Sequence, residues 1–287
     1  KKLKTAMAEL FGVKEHNIFL SNGSDDILNF AFMAYGKSGA VYPDITYGFY
    51  SVFAVLHGVK SEVIPLKEDF TIGVGDYKNK GKLVVIANPN APTGIALSLL
   101  EIEEIVKQNP DSVVLIDEAY VDFGGESCYK LTEKYDNLLC VGTFSKSRSL
   151  AGGRLGFAFA NENLIKDLEK IKYSTNPYNI NRLTQAAGFA TIKDNDYYLR
   201  NCEKIIVARE FLTVELRKLG FEVLPSKANF IFAKSNKISG LELYQKLKEK
   251  GILIRHFEKD RIKDFNRITI GTMEETKTLI EKIKEIL

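Results

Sequence analysis

Short apolar runs alternate with amphipathic stretches through the first two-thirds of the chain. The runs have the length of strands, and most of them are apolar without a break, which is typical of strands buried on both faces of a sheet. The stretches between them place apolar side chains at the spacing of one helix face. The predicted strands are Asn17–Leu20, Ala40–Tyr42, Ser61–Ile64, Leu83–Ala87, Val113–Ile116, Leu138–Phe144 and Leu155–Ala160. The predicted helices are Asp25–Tyr35, Tyr47–His57, Leu97–Gln108 and Asn163–Tyr173.

This alternation predicts an α/β fold with a mostly parallel, seven-stranded sheet flanked by helices. From about Asp194 the pattern changes. A long helix, Tyr197–Leu219, is followed by the apolar segment FEVLPSKANFIFAK, a helix around Leu241–Lys250, the strand pair ILIRHF and RITIG, and a closing helix. We therefore predict a large domain over residues 1–190 and a smaller α+β domain over residues 191–287.

Composition and charge exclude several classes of partner. Hydrophobic residues make up 45% of the chain and charged residues 27%, as in an ordinary globular protein. The 40 basic and 37 acidic residues are mixed along the chain, so we expect no nucleic acid partner. The longest apolar runs are too short to cross a membrane, so we expect no membrane partner either.

Two further expectations come from the cysteines and the first residues. Cys128, Cys140 and Cys202 match no metal-binding pattern, and we expect free thiols in the cytoplasm and no metal. The sequence begins without methionine and already inside a helical pattern, so we expect that a segment precedes it.

Small polar residues follow two of the predicted strands, at the edge of the sheet where ligands bind in open α/β folds. The first strand leads into SNGSDD, where Gly23, Ser24 and Asp25 open a helix. Free backbone N–H groups at a helix start suit a phosphate, although a plain helix cap has the same sequence. Strand Leu83–Ala87 leads into NPNAPTG, which contains Asn90 and is also typical of a structural turn.

Ionisable residues follow two other strands. Asp117 comes directly after the apolar strand Val113–Ile116, and Tyr120 lies three residues further on. A carboxylate in that place needs a positive partner, or it merely caps the strand. Lys146 comes directly after Ser145 at the end of another strand, and it is either an amine nucleophile on an apolar platform or an ordinary solvated lysine.

One cofactor uses all four of these strand ends at once. Pyridoxal 5′-phosphate bonds through its aldehyde to a lysine, keeps its ring nitrogen protonated against an aspartate, and binds its phosphate at a helix start with hydroxyl groups and an arginine. The sequence therefore predicts an enzyme that uses pyridoxal 5′-phosphate.

The segments NPNAPTG, DEAY and TFSKSRSLAGGRLGF resemble the signature of the fold-type I pyridoxal-phosphate-dependent aminotransferases, and the resemblance runs through nearly the whole chain. The segments NIFLSNGSDDIL, YPDITYGFY and NPYNINRLTQAA are further similar to the histidinol-phosphate aminotransferase subgroup. That resemblance implies amino-group transfer between L-glutamate/2-oxoglutarate and histidinol phosphate/imidazole-acetol phosphate in histidine biosynthesis. It also implies a cytoplasmic homodimer whose partners are a small-molecule amino donor and a keto acceptor.

Other functions of proteins with the same fold and cofactor stay open at this point. They are transfer of amino groups from aromatic amino acids, decarboxylation of threonine phosphate, and non-catalytic regulation by a protein that binds pyridoxal phosphate.

The resemblance also implies roles for residues around the cofactor. Lys146 would bond to the aldehyde and move the proton, Asp117 would pair with the ring nitrogen, and Tyr120 would hydrogen-bond the ring 3′-oxygen. Tyr47 would stack on the ring. The residues implied around the phosphate are Gly23, Ser24, Asp25, Thr143, Ser145 and Arg154.

On the substrate side the family implies two arginines and an asparagine. Arg267 would bind the anionic end of the substrate, Arg255 would be a second anion-binding group, and Asn229 would line the site. One position departs from the family pattern: Ala91 stands where an asparagine usually contacts the 3′-oxygen, and we expect Asn90 to replace it. The aromatic residues Phe49, Tyr50 and Phe53 have helix-face spacing, and we expect them in the core.

Overall fold

A computed structural model describes all residues, 1–287. Its larger sheet has seven strands in the order β1-β7-β6-β5-β4-β2-β3. Strand β7 is antiparallel to β1 and β6, and the other neighbours are parallel, so the predicted mostly parallel sheet is confirmed. The strands are β1 Ile18–Ser21, β2 Ala40–Pro43, β3 Ser61–Ile64, β4 Leu83–Ala87, β5 Val114–Asp117, β6 Leu138–Thr143 and β7 Gly156–Ala160.

Helices cover both faces of this sheet. Alternate residues of β4 enter two separate cores: Val84 and Ile86 pack on one face, and Leu83 and Val85 on the other. This division follows from the two-residue repeat of a strand and explains why the sequence of β4 is apolar without a break. The helices in this half are α1 Lys2–Phe11, α2 Gly23–Tyr35, α3 Phe49–Leu56, α4 Leu99–Lys107, α5 Glu162–Thr175 and α6 Arg182–Lys193.

A second, antiparallel sheet follows the long helix α7, Asn195–Lys218. Its strand order is β10-β11-β9-β8, and its own apolar core includes Leu212 of α7 and Ile231. The strands are β8 Phe221–Val223, β9 Phe230–Ser235, β10 Arg255–His256 and β11 Phe265–Thr269, and the helices are α8 Gly240–Glu249 and α9 Met273–Ile286. The predicted domain boundary at residue 190 falls inside α6 and stays a prediction.

None of the helices is both long enough and apolar enough to cross a membrane.

Candidate active site

A cavity of about 130 Å³ lies where β4, β5 and β6 end. It is in the place that the parallel strand order predicts for a ligand. Its lining includes most of the residues that the sequence selected, from four separate segments of the chain. They are Ser24, Asp25, Tyr47, Asp117, Tyr120, Thr143, Ser145, Lys146 and Arg154.

Lys146 extends into this cavity from the loop after β6. Its Nζ lies 5.4 Å from the centroid of the Tyr120 ring. That ring in turn packs edge-on against Phe230, with 5.0 Å between the ring centroids. Tyr120 therefore stands between the lysine and the first residue of β9 in the smaller sheet.

Asp117 is the last residue of β5 and is buried. Its Oδ2 accepts a hydrogen bond from the Tyr50 hydroxyl at 2.9 Å, and its Oδ1 accepts one from the backbone N–H of Ala119 at 3.2 Å. Burial raises the pKa of Asp117 to about 6, although these two donors and Lys146 oppose the shift. A carboxylate desolvated in this way favours a positively charged partner.

The neighbouring carboxylate, Glu118, has a different environment. It accepts hydrogen bonds from the backbone N–H of Cys128 at 2.7 Å and from the Ser127 hydroxyl. Burial raises the pKa of Glu118. The residue does not line the cavity, so of the two acids only Asp117 faces it.

The start of α2 and the loop after β6 form a polar end of the cavity. Gly23 has φ 77°, a backbone conformation that favours glycine, and a Cβ there would lie 2.5 Å from Nη2 of Arg154, so a side chain at this position would displace the guanidinium. Arg154 donates from Nη2 to Asp25 Oδ2 at 3.2 Å and from Nη1 to Ser145 Oγ at 3.4 Å. The hydroxyl of Thr143 accepts from the backbone N–H of Ser145 at 3.1 Å. A guanidinium, hydroxyl groups and a helix N-terminus at one place can bind a phosphate.

Tyr47 faces the same cavity. Its hydroxyl donates to Asp25 Oδ1 at 3.0 Å, and burial raises the pKa of the phenol. Asp25 therefore accepts from Tyr47 with one oxygen and from Arg154 with the other, which joins the two sides of the cavity.

Sequence reasoning missed the part that Tyr50 plays. Tyr50 is fully buried, as expected of a core residue, but its hydroxyl holds Asp117. The available signal was the hydroxyl itself, because a buried tyrosine hydroxyl normally needs a hydrogen-bond partner.

Asn90 is not among the residues that line the cavity, and its expected contact to the 3′-oxygen stays a prediction. Its Nδ2 donates to the carbonyl of Ile45 at 2.9 Å and to Thr93 Oγ1 at 3.1 Å, and its Oδ1 accepts from Thr46 Oγ1 at 2.8 Å. These bonds connect the turn after β4 to the loop after β2. Pro89 and Ala91 are the residues of this turn that line the cavity.

The three residues selected for the substrate lie on the smaller sheet and outside this cavity. Arg255 and Arg267 are directly opposite each other in the β10–β11 ladder, so their side chains share a face of the sheet. The Cζ of Arg267 lies 5.2 Å from the centroid of the Phe230 ring, and its buried Nε has no hydrogen-bond partner. Asn229 directly precedes β9, and its carbonyl accepts from the backbone N–H of Ile270 at 2.9 Å.

Arg255 and Arg267 place two positive charges opposite each other. Neither guanidinium forms an ion pair with a carboxylate, and like charges placed opposite each other on a sheet are destabilising. The arrangement therefore favours an anionic ligand that both arginines could bind.

Comparison with known proteins gives one family. The sequence profile of the family "Aminotransferase class I and II" matches residues 1–283. A histidinol-phosphate aminotransferase of Brachyspira hyodysenteriae is 55% identical over 99% of this chain and 81% of its own length. One from Lactococcus lactis subsp. cremoris is 47% identical over 100% of this chain and 81% of its own length. The crystal structure of the histidinol-phosphate aminotransferase from Clostridium acetobutylicum superposes with a TM-score of 0.91, at 25% identity, over 99% of this chain and 88% of that one.

Proposed function

The chain belongs to the class I and II aminotransferase family, and from that premise we propose that it exchanges an amino group between two pairs of compounds, whose amino forms are L-glutamate and histidinol phosphate. The corresponding keto partners are 2-oxoglutarate and imidazole-acetol phosphate, and the reaction is a step of histidine biosynthesis. Relatives that carry this name at 47–55% identity over nearly the whole chain support the proposal. The observation that carries it in the structure is the pair Arg255 and Arg267, which lie opposite each other on one face of the smaller sheet, with the buried Nε of Arg267 unpaired.

Pyridoxal 5′-phosphate fits the residues of the cavity. When bound, this cofactor supplies the electron sink that amino-group exchange requires. Asp117 would hold the ring nitrogen in its protonated form, and Tyr50 keeps the carboxylate in place. Burial of Asp117, which raises its pKa to about 6, supports this role because a cation beside the carboxylate would offset the cost of burial.

The polar end of the cavity would hold the phosphate of the cofactor. Arg154 would supply a charge-assisted contact, and the hydroxyls of Ser24 and Ser145 with the backbone N–H groups at the start of α2 would supply the others. Asp25 accepts from Arg154 and keeps the guanidinium beside the helix start.

Lys146 would bind the cofactor and then serve as the base. The amino donor would displace this amine from the cofactor, and the free Nζ would then take the proton from the donor carbon that bears the amino group and return it two atoms away, on the former aldehyde carbon. Tyr120, whose ring lies beside this amine, would donate its hydroxyl to the ring 3′-oxygen.

The two arginines would receive the anionic ends of the substrates. Glutamate carries an α-carboxylate that an arginine binds with two parallel hydrogen bonds, whereas histidinol phosphate carries a phosphate instead. We assign Arg267 to the anionic end of either substrate. We assign Arg255 to a second contact with the phosphate of histidinol phosphate. Asn229, which precedes β9, would line the same side.

We further propose that the enzyme is a homodimer in the cytoplasm. The outer face of α3 exposes Phe49, Val52, Val55 and Leu56, and an apolar patch of this kind is typical of a protein–protein interface. Three buried cysteines without disulfides are consistent with a reducing compartment.

The direct test is to load the protein with pyridoxal 5′-phosphate, add glutamate, and follow the cofactor absorbance with each keto acid in turn. We expect imidazole-acetol phosphate to be the best acceptor, and borohydride reduction to attach the cofactor to Lys146. Faster turnover with phenylpyruvate would favour an aromatic aminotransferase, and release of CO₂ from threonine phosphate would favour a decarboxylase. A label on another lysine, or no bound chromophore, would overturn the cofactor assignment.

A further inference from the structure

Arg209 is a buried charged residue that lies outside the cavity. It belongs to α7, and only 3% of its side chain is exposed. Its Nη1 donates to the carbonyl of Phe123 at 2.7 Å and to that of Ala228 at 2.9 Å. Its Nε and Nη2 donate to Oε1 of Glu210 at 3.1 and 3.0 Å. A buried guanidinium is costly unless it is hydrogen-bonded, and here each of its nitrogens has a partner.

The two carbonyls belong to segments that face each other between the two sheets. Phe123 ends the short turn that follows Tyr120, and Ala228 precedes Asn229 and β9. The next residue after Phe123 is Gly124, whose φ of 113° strains any other residue. A Cβ at Gly124 would lie 3.6 Å from Nη2 of Arg209, so the arginine packs closely against this turn.

The same two segments carry the aromatic contact that connects the reacting amine to the substrate arginine. The Tyr120 ring contacts Phe230 with 5.0 Å between centroids, and Lys146 Nζ lies 5.4 Å from the Tyr120 centroid. The guanidinium of Arg267 lies 5.2 Å from the Phe230 centroid. If Ala228 shifted relative to Phe123, Phe230 would move against Tyr120 and Arg267 would move with it.

We propose that Arg209 is a positioning residue. It clamps the backbone at Ala228 to the backbone at Phe123 and thereby fixes the spacing between Lys146 and Arg267. The catalytic consequence rests on the proposed function, in which Arg267 binds the substrate, whereas the clamp itself rests on the hydrogen bonds alone. Displacements of about 1 Å at a reacting centre can lower rates by on the order of a hundredfold, so a remote clamp of this kind can affect catalysis.

The test compares Arg209→Met and Arg209→Lys with Arg217→Met in the cofactor-loaded enzyme. Arg217 is the matched control because it lies on the same helix and donates to a backbone carbonyl, that of Val223 at 3.1 Å, within the smaller sheet only. The first measurement is amide hydrogen exchange. We expect Arg209→Met to speed exchange in residues 119–124 and 226–230 together, Arg209→Lys to do so less, and Arg217→Met to leave both segments unchanged.

The second measurement is kcat/KM for both substrates. We expect Arg209→Met to lower both values by roughly tenfold or more, with partial recovery in Arg209→Lys and no change in Arg217→Met. A residue with a purely structural role would lower the melting temperature but leave kcat/KM of the folded enzyme unchanged, and that result would overturn the positioning role. Unchanged hydrogen exchange would overturn the clamp itself.

These outcomes are separable from failure of the proposed function. If the wild type transaminates another amino donor but not histidinol phosphate, the substrate assignment fails. The role of Arg209 is then still decided by hydrogen exchange and by kcat/KM measured with the donor that the enzyme accepts. If Arg209→Met does not fold, Arg209→Lys carries both measurements.

Discussion

At the scale of single residues, Asp117 and Glu118 show how adjacent carboxylates acquire different chemistry. Successive residues at a strand end point to opposite sides of the sheet. Asp117 therefore meets Tyr50 and the cavity, whereas Glu118 meets Ser127 and the backbone of Cys128. Both carboxylates have a hydrogen-bond donor for each oxygen, but Glu118 does not line the cavity. Asp117 faces a cavity that an organic cation could enter.

We expect Asp117→Asn to retain part of its affinity for pyridoxal phosphate but to lose most turnover, with kcat lower by on the order of a hundredfold or more. The amide has nearly the same shape but no charge, so it no longer favours the protonated ring nitrogen. Stopped-flow absorbance with glutamate measures the half-reaction directly. Near-normal turnover would mean that Asp117 only caps its strand.

The same carboxylate predicts a pH dependence of the cofactor-free protein. Its folded pKa of about 6 lies above the ordinary value, so the folded protein binds the proton more tightly than the unfolded chain. Stability from this group is complete below about pH 4 and is lost as the pH rises through about 6, by roughly 3 kcal/mol. In Asp117→Asn this loss should be missing from a series of urea unfolding curves between pH 4.5 and about 7.5. If the free energy of unfolding changed with pH in the same way in both proteins, the prediction would be wrong.

The sequence could identify the residues that directly follow strands, but not those that reach the site from elsewhere. Lys146, Asp117 and Thr143 were predictable because parallel strands bring their ends to one edge. Tyr50 and Asn90 were not, because the direction of a side chain from a helix or a turn depends on packing. Tyr50 points inward to Asp117, and the amide of Asn90 bonds mainly to the loop that follows β2.

At the scale of elements, the pairing of β10 with β11 determines where the two arginines proposed for the substrate lie relative to each other. The sequence predicted strands in both places, yet β10 pairs over only two residues. The register, which sets Arg255 opposite Arg267, was not readable from the sequence because either strand could slip without changing its own pattern.

The roles proposed for the two arginines predict different effects when each is replaced. We expect Arg267→Ala to impair both half-reactions, and Arg255→Ala to impair the reaction of histidinol phosphate more than that of glutamate. Loss of a charge-assisted contact should lower kcat/KM by roughly tenfold to a hundredfold. Arg200→Ala, on an exposed part of α7, is the control for loss of charge alone. If Arg255→Ala leaves histidinol phosphate turnover intact, the phosphate assignment is wrong even though the enzyme class stands.

At the scale of the whole molecule, the change in periodicity near residue 194 predicted that a large α/β part comes first in the chain and a smaller α+β part second. The contacts between them were not. Arg261 donates to Asp44 Oδ2 at 3.3 Å, and Lys259 donates to the Asp44 carbonyl at 2.9 Å, across more than two hundred residues of sequence. Contacts between exposed loops leave no periodic signal, so only the three-dimensional fold reveals them.

The surface of α3 predicts how whole molecules associate. Val55 and Leu56 are 82% and 66% exposed, and this helix begins two residues after Tyr47, so a partner bound there would lie beside the cavity. We expect the wild type to sediment as a dimer of 32.3 kDa chains and Val55→Glu to sediment as a monomer, because a buried unpaired carboxylate is costly at an interface. Leu100→Glu, at a position that is 78% exposed on α4, should remain dimeric. Because a partner bound at α3 would lie beside the cavity, the monomeric variant should also lose turnover while it stays folded by circular dichroism. A wild type that is monomeric and fully active at assay concentration would overturn the proposed dimer.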